Sequence, residues 1–349
     1  SILRGFSAPV VLDFDYSDDQ LLALLAFDAD PFNRWEAGQR LALRGAIQFI
    51  ATSAHAAGAE VLNGAYIEAM RSVLRHPTLD AAFKELVLTL PSEGYIAEQL
   101  DVVDPQRIHA VREAMRRQLA NALQADWAWA FDAHQDTGAY RPDPLSSGRR
   151  ALTGMALVNL CLAARDSGDT VWPGKTFQRF KDAGNMTDRF NALSALVSSG
   201  SDHAAPALAR FHALFKNEAL VLDKWFALQA GAPDQDGNIL PAVKQLLKHP
   251  DFSLKNPNRA RSVIFSYCSA NPGAFHRADA AGYVFWSDRV IELDATNPQV
   301  AARLARALDR WKKLAEPYRT AAFEAIARVA AKPNLSNDVR EVVTRALAD

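Results

Sequence analysis

Apolar residues recur every three or four positions along most of this chain, from Ser17 onward. Leu21, Leu24 and Leu25 show this spacing at its start, and the spacing places them on one face of a helix. The periodic segments are about 10–20 residues long, and their short connections favour antiparallel neighbours. The pattern therefore predicts an all-α fold, an irregular α-superhelix or solenoid of antiparallel helical hairpins similar to ARM or HEAT repeats.

The predicted helices begin at capping sequences. Ser17-Asp18-Asp19-Gln20 matches a capping box. Elsewhere an Asx residue caps the helix, and a proline follows at the first helical position, where its missing N–H had no partner. The longest helix is expected from about Pro105 to Asp136, and the helical domain, 17–349, has a possible division into two lobes near 142–148. The Asx-Pro starts are Asp30-Pro31, Asp104-Pro105, Asn256-Pro257, Asn271-Pro272 and Asn297-Pro298, and other starts are predicted at Asn63, Asp80, Ser146, Thr187 and Ser336.

Residues 8–16 have a different pattern. Val10, Leu12 and Phe14 alternate with Val11, Asp13 and Asp15, which indicates a short strand. No second strand of similar quality follows, and a lone strand cannot satisfy its own backbone groups. We therefore expect residues 1–16 to be an extended strand or linker that pairs outside this chain or lies over the helices.

Composition narrows the function classes. Apolar residues make up 49% of the 349 residues, and 39 basic against 40 acidic residues give a net charge of −1. This balance disfavours a general nucleic-acid binder or a polybasic membrane-surface protein. The sequence has no apolar run long enough for a transmembrane helix and no signal-peptide pattern. Cys161 and Cys268 lie in apolar helical patterns, so we expect no disulfide and a cytoplasmic location.

The motifs of common catalytic centres are missing from the sequence. It contains no His-Glu-x-x-His, no Gly-x-Ser-x-Gly and no glycine-rich phosphate loop. No two of its eight histidines lie three or four residues apart, so a metal site built from distant histidines stays open but is not favoured. His76 and His249 each precede a proline at a helix end, where they are expected to cap a C-terminus. We therefore predict no catalytic residue and no metal ligand in this segment.

Two helix starts carry candidate binding groups. Arg259 and Arg261 lie in the first turn of the helix after Asn256-Pro257, although the helix dipole disfavours arginine there. Either arginine could pair with a carboxylate of a neighbouring helix instead of binding a ligand. Gln299 and Arg303 lie four apart near another helix start and so share a face. Arginine and amide groups in this arrangement suit a carboxylate or a peptide backbone.

Several segments resemble the C-terminal helical domain of the bacterial aminopeptidase N family, the M1 zinc metallopeptidases. The resemblance extends over essentially the whole chain, in order. The segments that carry it are Phe6-Ser7-Ala8-Pro9-Val10, Phe32-Asn33-Arg34-Trp35-Glu36-Ala37, Asn185-Met186-Thr187-Asp188, Asp223-Lys224-Trp225-Phe226 and Asn256-Pro257-Asn258-Arg259 through Asn271-Pro272-Gly273-Ala274-Phe275-His276.

The resemblance implies a hydrolase in which this domain follows a β-sandwich domain and closes the chamber over a zinc site in another domain. Residues 1–16 would then be the last strand of the β-sandwich. By resemblance, Arg261, Gln299 and Arg303 would bind peptide, zinc would belong to the full-length parent, and this fragment alone would be inactive. The alternatives are a freestanding α-solenoid that binds proteins, which the lone strand disfavours, and a helical hydrolase, which the missing motifs disfavour.

Overall fold

The computed structural model describes residues 2–8, 10, 12–52 and 60–348, and these are almost entirely helical. Within them the β-pairing is an isolated parallel bridge between Val103 and Leu314, so the all-α class is confirmed. The helices are α1 Asp18–Phe27, α2 Pro31–Ala51, α3 Gly64–Arg75, α4 Ala81–Leu88, α5 Glu93–Glu98, α6 Pro105–Ala122, α7 Gln124–Ala133, α8 Pro144–Ser167, α9 Val171–Asp182, α10 Met186–Ser198, α11 Ala204–Phe215, α12 Ala219–Ala230, α13 Ile239–Leu246, α14 Pro257–Ala260, α15 Ser266–Cys268, α16 Pro272–Phe275, α17 Ala281–Asp294, α18 Pro298–Ala305, α19 Tyr318–Ala330 and α20 Asn337–Ala348.

Most predicted helix starts are confirmed with their caps. The Ser17 capping box forms with Gln20, and Asp30 accepts from the backbone N–H of Asn33. Two starts were placed too late, at Ser146 and Thr187. The residues that cap these helices are Asp143, which accepts from the Ser146 N–H, and Asn185, which accepts from the Asp188 N–H. In both cases the capping side chain lies earlier than predicted and satisfies a free amide of the first turn.

The predicted helix from Pro105 to Asp136 is interrupted. Leu123, at φ −108° and ψ 20°, separates α6 from α7. Arg71 donates to the Ala122 carbonyl at 2.9 Å, and its Nε donates to Asp126 at 2.9 Å. A side chain of α3 therefore satisfies polar groups at the break, which local periodicity cannot show. The longest described helix is α8, with 24 residues.

The contacts divide the chain into two compact units, one of Ser1–Glu98 with Ala110–Ala207 and one of Gln99–His109 with Leu208–Asp349. The possible division near 142–148 therefore falls inside the first unit. The physical reason is that α8, which follows this position, packs against α4 and α7, which precede it. The turn at Pro142-Asp143-Pro144 begins α8, which remains part of the same core.

The first unit is organised around α8, which also packs against α9 and α10. Two glycines allow this close packing. A Cβ on Gly148 would lie 2.8 Å from the Ala82 nitrogen, and a Cβ on Gly154 would lie 2.7 Å from the Asn191 side-chain nitrogen. A larger residue at either position would push α8 away from its neighbours.

Residues 8–16 lie in the first unit, and Pro9 and Val11 are outside the described residues. The described part is neither helical nor paired in a ladder. Arg40 donates to the Phe14 carbonyl at 3.2 Å, and Arg44 donates to the Tyr16 carbonyl at 2.7 Å. Side chains of α2 thus hold a backbone segment for which the described residues supply no partner strand.

The second unit contains α12 to α20 and a buried aromatic core. Within it α17 packs against α18 and α19, and α20 packs against both α18 and α19. Trp286 of α17 is fully buried, and its indole N–H donates to the Leu304 carbonyl of α18 at 3.0 Å. The Val103 bridge belongs to this unit as well: the Val103 N–H donates to the Lys313 carbonyl at 2.7 Å.

Candidate functional site

Arg261 lies at a change of helical geometry. Asn256 caps α14 by accepting from the N–H groups of Asn258 and Arg259, and the helix then widens into a π-helical turn over Arg261–Phe265. The Arg261 side chain is exposed, and its guanidinium donates to the Asn258 side chain at 3.3 Å. Single π-helical turns occur often at functional sites. Arg261 is therefore available to solvent, and among the described residues its polar partner lies within its own turn.

Arg259, two residues earlier, has a structural role. It is buried, its Nε donates to Asp223 of α12 at 2.7 Å, and its guanidinium also donates to the Asp251 carbonyl. The guanidinium carbon lies 4.9 Å from the centre of the Phe226 ring. The interpretation as a carboxylate partner thus holds for Arg259.

Gln299 and Arg303 share the outer face of α18. Asn297 caps this helix by accepting from the Val300 N–H at 3.2 Å, and Pro298 takes the first helical position. Val300, Ala301, Leu304 and Ala305 are buried on the inner face. Gln299 and Arg303 are exposed and form no hydrogen bond or ion pair with any other described residue. Their donors and acceptors face water.

All three predicted peptide-binding residues therefore lie in the second unit and are exposed. The hydrogen bonds and ion pairs of the described residues do not join Arg261 to Gln299 or Arg303. That the three side chains share one concave surface stays a prediction. What the geometry establishes is that each has donors free to bind an oxygen-rich ligand.

The structure brings together three groups that sequence reasoning left apart: His212 of α11, and His249 and Asp251 of the turn after α13. His212 Nε2 lies 2.7 Å from Asp251 Oδ2, and His249 Nδ1 lies 3.7 Å from the same oxygen. One potential ligand atom from each residue lies within 4.8 Å of the other two. No motif in the sequence indicates this cluster, because His212 and His249 lie 37 positions apart.

The surroundings of this cluster shift the pKa values of two of its groups. Burial lowers the pKa of His249, while the hydrogen bond from His212 lowers the pKa of Asp251. The His249 backbone N–H donates to the carbonyl of Leu246, the last residue of α13, at 3.1 Å, so His249 helps to cap this C-terminus as predicted. Its Nδ1 accepts from the Asp251 N–H at 3.1 Å. His76 is the C-cap of α3, as predicted: its backbone N–H donates to the Val73 carbonyl at 3.2 Å, and its Nδ1 accepts from the Thr78 N–H at 3.3 Å.

A cavity of about 420 Å³ lies in the first unit and is lined by residues of α4, α6, α7, α8 and α10. Burial raises the pKa of Glu85 and lowers that of Arg112 on its wall. Arg112 donates to the Pro91 carbonyl at 2.9 Å, and Arg116 donates to both carboxylate oxygens of Glu113. The two cationic side chains are thus already engaged within the protein, so the cavity offers an anion little.

None of the described helices is both long and apolar enough to cross a bilayer.

Almost the whole chain matches one protein family. The family described as "Domain of unknown function (DUF3458_C) ARM repeats" matches residues 18–348. Its ARM-repeat description agrees with the superhelix of hairpins expected from the sequence.

Curated relatives carry one common name. Aminopeptidase N of Caulobacter vibrioides is 37% identical over 350 residues, that of Haemophilus influenzae 35% over 351, and that of Escherichia coli 34% over 349. Each alignment covers at least 99% of this chain but only 39% of the relative.

A solved structure of an aminopeptidase is also similar to almost the whole chain. The crystal structure of Legionella pneumophila aminopeptidase A in complex with aspartic acid matches with a TM-score of 0.85 and 28% identity. The match covers 99% of this chain and 40% of that one.

Proposed function

This chain belongs to the DUF3458_C family of ARM-repeat domains, and we propose that it forms the C-terminal helical domain of a zinc-dependent aminopeptidase of family M1. Such an enzyme removes N-terminal amino acids from peptides. The observation that carries the proposal is 34–37% identity to three aminopeptidases N over at least 99% of this chain. The chain spans 39% of their length, so the rest of the enzyme has no counterpart here.

The proposed role of the domain is to cap the active-site chamber and to bind peptide through Arg261, Gln299 and Arg303. Their exposure supports this role, as does the lack of internal partners for Gln299 and Arg303 among the described residues. An arginine can donate two parallel hydrogen bonds to a peptide carboxylate, and a glutamine can both donate to and accept from a peptide amide. These groups hold and orient the substrate without taking part in bond breaking.

The zinc-binding motif of such enzymes does not occur in this sequence. A His-Glu-x-x-His helix supplies two zinc ligands and a general base, and none occurs among the 349 residues. We therefore assign no catalytic residue to the chain and derive no step of hydrolysis from it.

The partners that follow from the proposal are peptide substrates and the catalytic and β-sandwich domains of the same longer chain. Residues 1–16 would complete the β-sandwich. A cytoplasmic location is part of the proposal, and it is supported by Cys161 and Cys268, which are both buried and unpaired.

The test is the gene itself. The reading frame upstream of the Ser1 codon is expected to encode His-Glu-x-x-His and a β-sandwich domain that ends at residues 1–16. The corresponding full-length protein should release N-terminal amino acids from peptides, and a chelator should stop it. A reading frame without a zinc motif would contradict the proposal and favour a freestanding scaffold that binds proteins.

A further inference from the structure

We propose that His212, His249 and Asp251 form a binding site for a divalent transition-metal ion of the Zn²⁺ class. The three residues lie in the second unit, and nothing in the peptide-binding proposal uses them. Two imidazoles and one carboxylate are a common ligand set for three-residue zinc sites, in which water takes the fourth position. Imidazole also favours Zn²⁺, Co²⁺ or Cu²⁺ over Mg²⁺ and Ca²⁺, which prefer oxygen ligands.

The distances are close to those that a metal requires. Ligand atoms about 2.0–2.1 Å from a tetrahedral Zn²⁺ lie about 3.3 Å from one another. Here the His212–Asp251 and His249–Asp251 separations are 2.7 and 3.7 Å. The shorter one is a hydrogen bond, and an ion would take the place of its shared proton and widen it slightly. Binding would also replace the bond from the Asp251 N–H to His249 Nδ1, which is 3.1 Å long.

The imidazole rings are already held in place. The His212 ring lies 4.9 Å from the Trp225 ring and 5.1 Å from the His249 ring, and His249 packs edge-on to Phe226 at 5.5 Å. Trp225 and Phe226 are buried and belong to α12. Because aromatic packing restricts both imidazoles before an ion arrives, little side-chain freedom is lost on binding.

Charge and access also suit a cation. Arg259 donates to the Asp251 backbone carbonyl, and its guanidinium also forms an ion pair with Asp223 at 2.7 Å, which offsets its positive charge beside the cluster. The side chains of His212, His249 and Asp251 are 25%, 26% and 36% exposed. An ion can therefore enter from solvent and keep a water ligand. It would join α11 to the turn that follows α13.

The experiment is titration of the metal-free 349-residue chain with Zn²⁺ by calorimetry and with Co²⁺ by visible absorption. We expect one ion per chain and d–d bands typical of low coordination number. His212→Gln and His249→Gln should each weaken Zn²⁺ binding at least tenfold. Asp251→Asn keeps a hydrogen-bond acceptor but loses the charge, and it should weaken binding similarly.

His76→Gln is the matched control. His76 also precedes a proline after a helix, and its Nδ1 also accepts from the N–H two residues on, but it belongs to no ligand cluster among the described residues. Its variant should bind Zn²⁺ like the parent chain. Circular dichroism with chelator present separates loss of ligand from loss of fold, and three single variants guard against one that does not fold. The proposal is overturned if the unsubstituted 349-residue chain does not bind Zn²⁺, or if folded His249→Gln binds it equally well.

Discussion

Two arginines that stand two positions apart have opposite environments in this protein. Arg259 is 4% exposed and bound to Asp223 and to backbone carbonyls, whereas Arg261 points to solvent. The sequence identified the pair as unusual for a helix start but could not assign the roles, because the partner carboxylate lies 36 residues away. Only the packing of α12 against this segment decides which arginine is structural.

The first prediction concerns this contrast. Arg259→Ala should lower the free energy of unfolding by about 3–5 kcal/mol, because it leaves the mostly buried carboxylate of Asp223 without its partner. Arg261→Ala is the matched control and should change it by less than about 0.5 kcal/mol, as is usual for exposed positions. Urea unfolding followed by circular dichroism measures both. Similar losses in the two variants would contradict the assignment.

The second prediction concerns Arg303 and tests the proposed peptide surface. Arg303→Ala in the full-length enzyme should raise KM for peptides by about tenfold or more, since a charge-assisted hydrogen bond contributes about 1.5–3 kcal/mol. A short chromogenic substrate that does not reach this surface should be hydrolysed almost as before. Steady-state kinetics on both substrates gives the comparison.

Arg306→Ala is the control for Arg303→Ala. Arg306 is also exposed and lies in the next helical turn, but its guanidinium is 4.0 Å from the Asp309 carboxylate. We expect no change in KM for either substrate. Equal losses on the peptide and the short substrate with Arg303→Ala would point to a structural effect instead of peptide binding.

At the scale of elements, the sequence predicts where helices begin more reliably than whether they run without a break. Asp30 and Asn63 cap the helices they were expected to cap, because the capping bond is made within three residues of the sequence. The hydrophobic periodicity does not indicate the interruption at Leu123, because the contacts at the break are tertiary. The Leu123 and Trp127 side chains are buried in the core, and Arg71 of α3 donates to the Ala122 carbonyl. Periodicity describes one helix at a time and does not register such a partner.

The third prediction concerns the turn that joins α16 to α17. Burial lowers the pKa of His276 to about 4, against 6.5 for an unperturbed histidine, and its Nδ1 lies 2.8 Å from the Tyr283 hydroxyl. The native state therefore keeps His276 neutral, while the unfolded chain takes up a proton below pH 6.5. The stability contribution is complete above this pH and is lost as the pH falls towards 4.

The expected size is about 2 kcal/mol of unfolding free energy between pH 7 and pH 5. It is obtained from urea unfolding at both pH values, by comparing the parent chain with His276→Gln. Glutamine can still bond to the Tyr283 hydroxyl but does not titrate, so the variant should lose less stability on acidification. The same pH dependence in both proteins would contradict a His276 that stays neutral in the folded chain.

At the scale of the molecule, the all-α class followed from periodicity, whereas the division into units did not. The boundary at Ala207 and Leu208 lies inside the continuous helix α11, just after Pro206, which stands in the first turn of that helix and does not end it. The turn at Pro142-Asp143-Pro144, where the sequence suggests a division, lies within the first unit. The same limit explains the cluster of His212, His249 and Asp251, which exists only because the fold brings α11 to the turn after α13.

The last prediction is that the purified 349-residue chain does not hydrolyse peptides, with or without added Zn²⁺. The reason is chemical: the sequence has no His-Glu-x-x-His to provide two ligands and a general base on one helix. Zn²⁺ held by His212, His249 and Asp251 would not replace that motif, because hydrolysis also requires a base placed to take a proton from the metal-bound water. Release of an amino-acid chromogen, measured at several Zn²⁺ concentrations beside His249→Gln, makes the test specific. Turnover that co-purifies with the unsubstituted 349-residue chain contradicts the prediction. Loss of that turnover in His249→Gln would locate the activity at this cluster.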